Sequence, residues 1–212
     1  MKLYSYYRSS AAYRVRIALA IKGIDYEYVP VHIDKGQQFE AAFAAINSQG
    51  LVPVLEDGGN LIYQSLAIIQ YLDETHPVPR IIPADPVERN RVRSLALIIA
   101  CEIHPLNNLR VLEYLTDTLK VTDEQKTAWY HHWVTTGFQA LEARLANDPR
   151  TGRYCHGDTP GFADISLVPQ VANARRFGVD LAPFPTIVRI ADACNELEVF
   201  RKAAPEAQPD AA

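Results

Sequence analysis

A proline-rich segment divides the chain and most constrains its fold. Residues 77–86 read Pro-Val-Pro-Arg-Ile-Ile-Pro-Ala-Asp-Pro, with four prolines in ten positions. Proline lacks a backbone N–H and fixes φ, so neither a helix interior nor a central strand accommodates this density. We therefore predict a stiff linker at 77–86, a first domain over 1–76 and a second domain over 87–202.

The first domain alternates between strand and helix patterns. Apolar periodicity predicts helices at 11–22 and 65–74, a short helix in a polar loop ending at Asn47, and strands at 2–7, 26–32, 52–56 and 61–63. Asp57-Gly58 between two apolar runs is typical of a hairpin turn. The order βαβ followed by ββα predicts a small mixed sheet with helices on both faces.

The second domain shows only helical patterns. They predict helices at about 87–119, 123–146, 163–174 and 186–197, and Pro105 should kink the first of these. The Ala- and Pro-rich stretch 203–212 predicts a disordered tail. The fold class is therefore an α/β domain followed by an all-α domain.

The composition excludes several kinds of partner. A net charge of −4 without a basic run argues against nucleic acid, and no uninterrupted apolar span approaches the length of a membrane helix. Three widely spaced cysteines indicate a reducing, cytoplasmic compartment, and none lies in the first hundred residues. The histidines lack the spacing of metal ligands, so we expect no metal site.

The segment 9–19 predicts a helix whose first turn suits an anion. Ser9 and Ser10 are residue types preferred at a helix N-cap, and Gly23 suits its C-terminus. A helix start leaves backbone N–H groups unpaired and carries about half a positive charge. An ordinary capped helix remains the alternative. One buried stripe is expected at Ala11, Val15, Ala18 and Leu19.

Three further features of the first domain suit a small peptide ligand. A cis Val52–Pro53 bond would leave the Val52 backbone groups available to a ligand, although a trans bond is equally compatible with the sequence. Gln64-Ser65 opens a helix where N–H groups can hold a carboxylate, unless Ser65 is only a cap. Three loop glutamines lie near these elements and are most often plain solvated residues: Gln37, Gln38 and Gln49.

Together these features resemble the zeta class of the glutathione transferase family. The resemblance covers about residues 1–202 and includes Ser-Ser-x-x-Tyr-Arg-Val-Arg-Ile-Ala-Leu from Ser9, and the segments 49–55, 64–72 and 167–177. It implies a thioredoxin-like N-terminal domain with a mixed four-stranded sheet, a helical C-terminal domain, a homodimer, and glutathione as cofactor. The residues implied to hold glutathione are Ser9, Ser10, Gln38, Gln49, Val52, Pro53, Gln64, Ser65, His104 and Asn108.

The sequence departs from this class at two positions. The class usually has cysteine after its two serines, where this chain has Ala11, so Ser9, Ser10 or the helix terminus must stabilise the sulfur. The fold usually begins a helix of its second domain with Ser/Thr-x-x-Asp, where this chain has Gly161 and Asp164. Glycine is an adequate N-cap, and Asp164 can still accept from the Gly161 N–H.

The resemblance implies a glutathione-dependent cis–trans isomerase. The expected reaction converts maleylpyruvate to fumarylpyruvate in aromatic-compound catabolism, by thiolate addition, bond rotation and elimination. The expected catalytic residues are Arg8, Ser9 and Ser10, and we expect Arg8, Arg110 and Arg176 to bind the diacid because guanidinium pairs bidentately with carboxylate. The alternatives are a maleylacetoacetate isomerase, a general glutathione transferase or dehalogenase, and a catalytically silent interaction module.

Overall fold

The computed structural model describes residues 1–211, and the chain forms two compact units. The first comprises Met1–Ile81 together with the chain from Glu196 onward, and the second comprises Ile82–Asn195. The division falls inside the proline-rich segment. The predicted second domain is wrong at its end, because residues 196–202 pack with the first unit.

The first unit is built on a four-stranded mixed sheet. Its strands are β1 (Lys2–Ser5), β2 (Glu27–Pro30), β3 (Val54–Asp57) and β4 (Asn60–Tyr63), in the order β2-β1-β3-β4. β1 pairs in parallel with β2 and antiparallel with β3, and β3 forms the predicted hairpin with β4. The predicted fold class is confirmed.

Three helices cover the two faces of this sheet: α1 (Ser10–Lys22), α2 (Ala41–Ala44) and α3 (Ser65–Thr75). Two short 3₁₀ turns, Ile33–Lys35 and Gln37–Phe39, precede α2. On one face, the ring of Tyr4 lies against Phe43 of α2, at 6.1 Å between centroids. Because side chains alternate along a strand, Leu3 and Leu55 lie on the opposite face, where they are fully buried.

Helix α1 is buried around most of its circumference and not only along the one predicted stripe. Val15, Ala18 and Leu19 are fully buried as predicted, whereas Ala11 is only partly buried. Arg14 and Arg16 are also almost entirely buried. The helix packs against α3 and against α9 (Glu198–Ala203), which the sequence pattern did not indicate. Gly23 ends α1 in the left-handed region, at φ 64°, and donates to Ala20 and Leu19.

The C-terminal segment, residues 203–211, is ordered, so the predicted disordered tail is wrong over these residues. Ala212 lies outside the described residues. Arg16 Nε donates to the Ala203 carbonyl at 2.9 Å, and the Tyr28 hydroxyl donates to Asp210 at 2.6 Å. A 3₁₀ turn spans Pro205–Ala207, and Gln208 is buried. These partners, nearly two hundred residues earlier in the chain, fix a segment of polar local composition.

The first helical stretch of the second unit is interrupted rather than continuous. It comprises α4 (Pro86–Leu97), a π-helical segment at Ile98–Ile103, a 3₁₀ turn at His104–Asn107, α5 (Leu109–Glu113) and a second π-helical segment at Tyr114–Thr118. The break coincides with Pro105, which lacks an N–H for a helical hydrogen bond. The run 86–118 is long and apolar enough, by length and composition alone, to cross a membrane, but it carries Glu102 and Arg110 and packs against α6 (Asp123–Ala146).

Helices α6 (Asp123–Ala146), α7 (Phe162–Arg176) and α8 (Pro185–Asn195) complete the second unit. The start of α7 is fixed as predicted, because the Asp164 carboxylate accepts from the Gly161 N–H at 2.9 Å. It also accepts from the Cys155 N–H at 2.8 Å. Burial raises the pKa of Asp164, while these two N–H groups oppose that change.

Candidate functional site

Helix α1 begins at two serine hydroxyls, and its first turn contains no carboxylate. Ser9 is the N-cap, and its hydroxyl oxygen accepts from the Ala12 N–H at 3.2 Å. Ser10 is the first helical residue and is buried. No acidic residue occupies the first turn of α1, so the partial positive charge of the terminus is not neutralised by the helix itself.

Arg8 lies beside these serines and is exposed. Its guanidinium carbon is 4.9 Å from the centre of the Tyr7 ring. A cation at this distance over an aromatic face is attracted to it while its N–H groups stay available to an anion.

A buried hydrogen bond joins α1 to the start of α3. Arg14, one turn after Ser10, donates from Nη1 to the Ser65 hydroxyl at 3.3 Å. The sequence did not indicate a role for Arg14, because an arginine within an apolar helix gives no pattern that points to a partner. Gln64 precedes α3 at φ 66°, an unusual conformation for a non-glycine residue and one that is concentrated at functional sites.

The predicted loop residues fall into two groups. Gln49 and Gln64 meet side chain to side chain, with Nε2 of Gln64 donating to Oε1 of Gln49 at 3.1 Å, and both are exposed. Gln38 is instead buried, and within residues 1–211 its side-chain oxygen has no hydrogen-bond partner. A buried polar atom without a partner is costly, so this oxygen marks a place where a ligand donor would be accommodated.

The Val52–Pro53 bond is cis, which was one of the two possibilities left open by the sequence. Both residues are buried, just before β3. The preceding loop is held by Asn47, whose amide donates to the Leu51 carbonyl at 2.8 Å and accepts from the Gln49 N–H at 3.1 Å. Asn47 is a second residue that the sequence analysis missed, and its only signal was a position next to the polar loop.

In the helical unit, the structure brings His104 and Asn108 together. His104 begins the 3₁₀ turn after the π-helical segment, and its Nε2 lies 3.5 Å from the Asn108 amide nitrogen. Asn108 caps α5 by accepting from the Arg110 N–H at 3.3 Å. The Arg110 side chain is exposed.

Arg176 is held at the C-terminal end of α7. Its guanidinium carbon lies 4.7 Å from the centre of the Phe177 ring, which stacks on Tyr130 at 4.0 Å. His131 Nε2 donates to the Phe177 carbonyl at 2.8 Å, and this acceptor requires the proton to be on Nε2. The side chain of Arg176 is exposed.

The two buried thiols of the helical unit, on Cys155 and Cys194, are unsuited to nucleophilic chemistry. Burial raises the pKa of the Cys155 thiol well above its ordinary value, and the neighbouring Asp164 carboxylate raises it further. Burial likewise raises the pKa of Cys194. Within residues 1–211, no three His, Cys, Asp or Glu side chains are grouped so as to hold a metal ion.

Comparisons with known proteins show which family the chain is similar to. The profile of the glutathione S-transferase N-terminal domain matches residues 3–80. A maleylpyruvate isomerase of Ralstonia is 52% identical over the full length of both chains. The holo structure of a bacterial maleylpyruvate isomerase, a zeta-class glutathione S-transferase, covers all of both chains with a TM-score of 0.98 and 52% identity.

A maleylacetoacetate isomerase of Methylobacterium extorquens AM1, solved with bound malonate and glutathione, covers all of both chains with a TM-score of 0.97 and 41% identity. Identity at this level over whole chains fixes the family. The chain therefore belongs to the zeta class of the glutathione S-transferase family, and its cofactor is glutathione.

Proposed function

We propose that this protein is a glutathione-dependent cis–trans isomerase that converts maleylpyruvate to fumarylpyruvate. The observation that carries the proposal is the pair of hydroxyls at the uncompensated start of α1, Ser9 and Ser10. The first hundred residues contain no cysteine, so this anion site serves a sulfur that arrives from outside the chain.

The residues of the first unit suit glutathione. The N–H groups at the start of α3, with Gln64 and Ser65, suit a carboxylate of the tripeptide. Val52 at the cis bond suits pairing with its backbone, and the partnerless oxygen of Gln38 suits one of its N–H donors. Gln49 and Pro53 border these groups, and His104 and Asn108 are the contacts proposed from the helical unit.

The start of α1 can supply the free energy needed to lower the pKa of a bound thiol. Lowering a thiol pKa by two units requires about 2.7 kcal/mol of preference for the thiolate. A helix terminus supplies about 0.3–2 kcal/mol, and one hydrogen bond from a serine hydroxyl to a charged atom supplies about 1.5–3 kcal/mol. Bound glutathione contributes the thiolate whose reversible addition to the conjugated alkene permits rotation.

The arginines suit the charge of the substrate. The diacid carries carboxylates, and negative charge develops on its ketone oxygen when a nucleophile attacks the alkene. Arg8, Arg110 and Arg176 all present exposed guanidinium groups that remain charged throughout the reaction. We assign Arg8 to the region beside the sulfur, and Arg110 and Arg176 to substrate carboxylates.

The choice between two diacids rests on Arg110. Relatives of nearly equal identity carry the names maleylpyruvate isomerase and maleylacetoacetate isomerase, so similarity alone does not separate the substrates. Arg110 adds a third cation to Arg8 and Arg176. We expect this cation to favour the diacid whose carboxylate lies closer to its ketone, which is maleylpyruvate. We further propose that the protein is cytoplasmic, in keeping with its three free cysteines. We also propose, from the family resemblance, that it is a homodimer and acts in aromatic-compound catabolism.

The proposal is tested by an ultraviolet assay of maleylpyruvate with and without glutathione, with maleylacetoacetate in parallel. Turnover of maleylpyruvate only with glutathione supports it, and a strong preference for maleylacetoacetate would reject the substrate assignment. Dehalogenation or conjugation of apolar halides without isomerisation would favour a general transferase. Absence of glutathione binding by calorimetry would favour a silent interaction module.

Arg176→Ala is expected to raise the KM for maleylpyruvate about tenfold while leaving the Kd of glutathione unchanged, because it removes a charge-assisted bond to the substrate alone. The matched control is Arg175→Ala. Arg175 is an exposed neighbour that pairs with Asp192 on the surface at 2.6 Å. Steady-state kinetics checks both variants, and equal effects of the two changes would contradict a substrate role for Arg176.

Arg110→Ala is expected to lower kcat/KM for maleylpyruvate severalfold more than for maleylacetoacetate. The reason is that the proposed extra cation favours the more compact diacid. The measurement is the ratio of kcat/KM values for the two substrates in wild type and variant. An unchanged ratio would show that Arg110 does not set the substrate preference.

A further inference from the structure

The C-terminal segment forms hydrogen bonds with the turn that leads into α1. The Asp210 carboxylate accepts from the backbone N–H of Tyr7 at 3.1 Å and from the Tyr28 hydroxyl at 2.6 Å. Tyr7 stands two residues before Ser9, the N-cap of α1. A side chain at position 210 thus determines where the backbone lies just before the anion site.

Arg16 holds the same turn from its carbonyl side. Its Nη2 donates to the Tyr7 carbonyl at 3.0 Å, and its Nη1 donates to the Tyr6 carbonyl at 3.3 Å. Its Nε donates to the Ala203 carbonyl at 2.9 Å, so one guanidinium joins the turn to the end of α9. Arg16 is 1% exposed, which keeps these bonds from exchanging with water.

The backbone of Tyr7 is therefore fixed at both its N–H and its carbonyl. The Ser9 N–H donates to the Tyr6 carbonyl at 2.9 Å and completes the turn. The backbone of the turn places the Cα of Ser9, and the Ser9 hydroxyl oxygen then accepts from the Ala12 N–H at 3.2 Å, so the turn helps to set where the hydroxyl lies.

We propose that Asp210 and Arg16 are positioning residues for the thiolate site, and that the C-terminal segment locks the turn Tyr6–Ser9 in the geometry that ionises glutathione. This inference rests on the proposed role of the α1 start. In this proposal Asp210 acts on the site through the backbone of Tyr7.

The segment has anchors besides Asp210. The Gln208 amide donates to the carbonyls of Lys202 at 2.9 Å and Ala204 at 2.8 Å, and Gln208 is buried. Replacing Asp210 should therefore remove the hydrogen bond to the Tyr7 N–H while the rest of the segment stays in place. Glu206 lies in the same segment and is exposed, which makes Glu206→Ala a matched control for the loss of one negative charge.

The experiment titrates the thiol of bound glutathione by its thiolate ultraviolet absorbance in the full-length protein. Asp210→Ala is expected to lower the thiolate fraction at neutral pH about tenfold, since small displacements at a preorganised site have large effects. Asp210→Asn keeps an acceptor for the Tyr7 N–H and should show a smaller loss. Glu206→Ala should titrate like the wild type.

A wild-type thiol titration in folded Asp210→Ala, accompanied only by a lower unfolding midpoint, would overturn the proposal and leave Asp210 a merely structural residue. If Asp210→Ala does not fold, Asp210→Asn and Tyr28→Phe decide the question, because the second removes only the hydroxyl that orients the carboxylate. Wild-type titration in both would likewise overturn it. The readout uses no substrate, so failure of the isomerase assay does not affect its outcome.

Discussion

Replacing Ser9 with alanine is expected to lower kcat by about 10- to 150-fold, which corresponds to the loss of one hydrogen bond to a charged atom. The hydroxyl oxygen of Ser9 is already engaged by the Ala12 N–H, and this leaves the hydroxyl hydrogen to be donated to the sulfur. The Kd of glutathione should change much less, because the other groups that hold the tripeptide remain in place. Stopped-flow turnover and calorimetry with glutathione measure the two quantities.

The loss of a helix cap must be separated from the loss of a catalytic donor. Removing a serine N-cap costs about 1 kcal/mol of stability by itself. Thr122 caps α6 in the same way, accepting from the Gln125 N–H, so Thr122→Ala reproduces the loss of a cap away from the proposed site. We expect Thr122→Ala to lower the unfolding midpoint while leaving kcat near the wild-type value.

Ser10→Ala completes the comparison between the two hydroxyls. Ser10 is buried at the first helical position, where the side chain has less freedom to turn toward a ligand than the N-cap residue. We expect a smaller loss of kcat than for Ser9→Ala. Wild-type turnover in both serine variants would show that the helix terminus alone stabilises the sulfur.

The sheet and α1 followed from local patterns, since alternation and helical periodicity are properties of short segments. The hairpin at Asp57-Gly58 is an example, because the turn chemistry lies within the turn itself. The start of α1 was predictable for the same reason. Local patterns did not indicate the bond of Arg14 to Ser65 or that of Arg16 to Ala203, because these partners lie 51 and 187 residues away in the sequence.

The C-terminal segment shows this limit most clearly. Its Ala- and Pro-rich composition resembles that of disordered tails, and its order depends on Arg16, Tyr28 and Tyr7. In the sequence, Arg16 is a charge within an apolar run and indicates no partner. Only the fold shows that its guanidinium faces four acceptors, on Ser5, Tyr6, Tyr7 and Ala203.

The interrupted stretch near Pro105 was predicted only in part. A kink follows from the chemistry of proline, but the π-helical segments Ile98–Ile103 and Tyr114–Thr118 do not. Such segments add one residue to a turn and frequently mark functional sites, and His104 directly follows the first of them. The residue types at these positions carry no signal for that extra residue.

Asp73→Ala is expected to destabilise the protein by about 3–5 kcal/mol, because it leaves a buried ammonium without its counter-charge. Lys22 Nζ lies 2.5 Å from the Asp73 carboxylate, and the two side chains are 0% and 5% exposed. The same carboxylate accepts from the Ile81 N–H at 2.9 Å, so the backbone at the end of the first unit also loses a partner. Urea unfolding followed by circular dichroism measures the change.

Two comparisons isolate the cause of this loss. Lys202→Ala removes one member of an exposed pair with Glu198 and should cost less than about 0.5 kcal/mol. The double variant Lys22→Met/Asp73→Leu leaves no buried charge and should be more stable than Asp73→Ala, although the Ile81 N–H still lacks its acceptor. If Asp73→Ala cost no more than Lys202→Ala, the attachment of α1 to the end of α3 would have to come from apolar packing and from the bonds that Lys22 donates to the carbonyls of His76 at 2.7 Å and Pro79 at 2.6 Å.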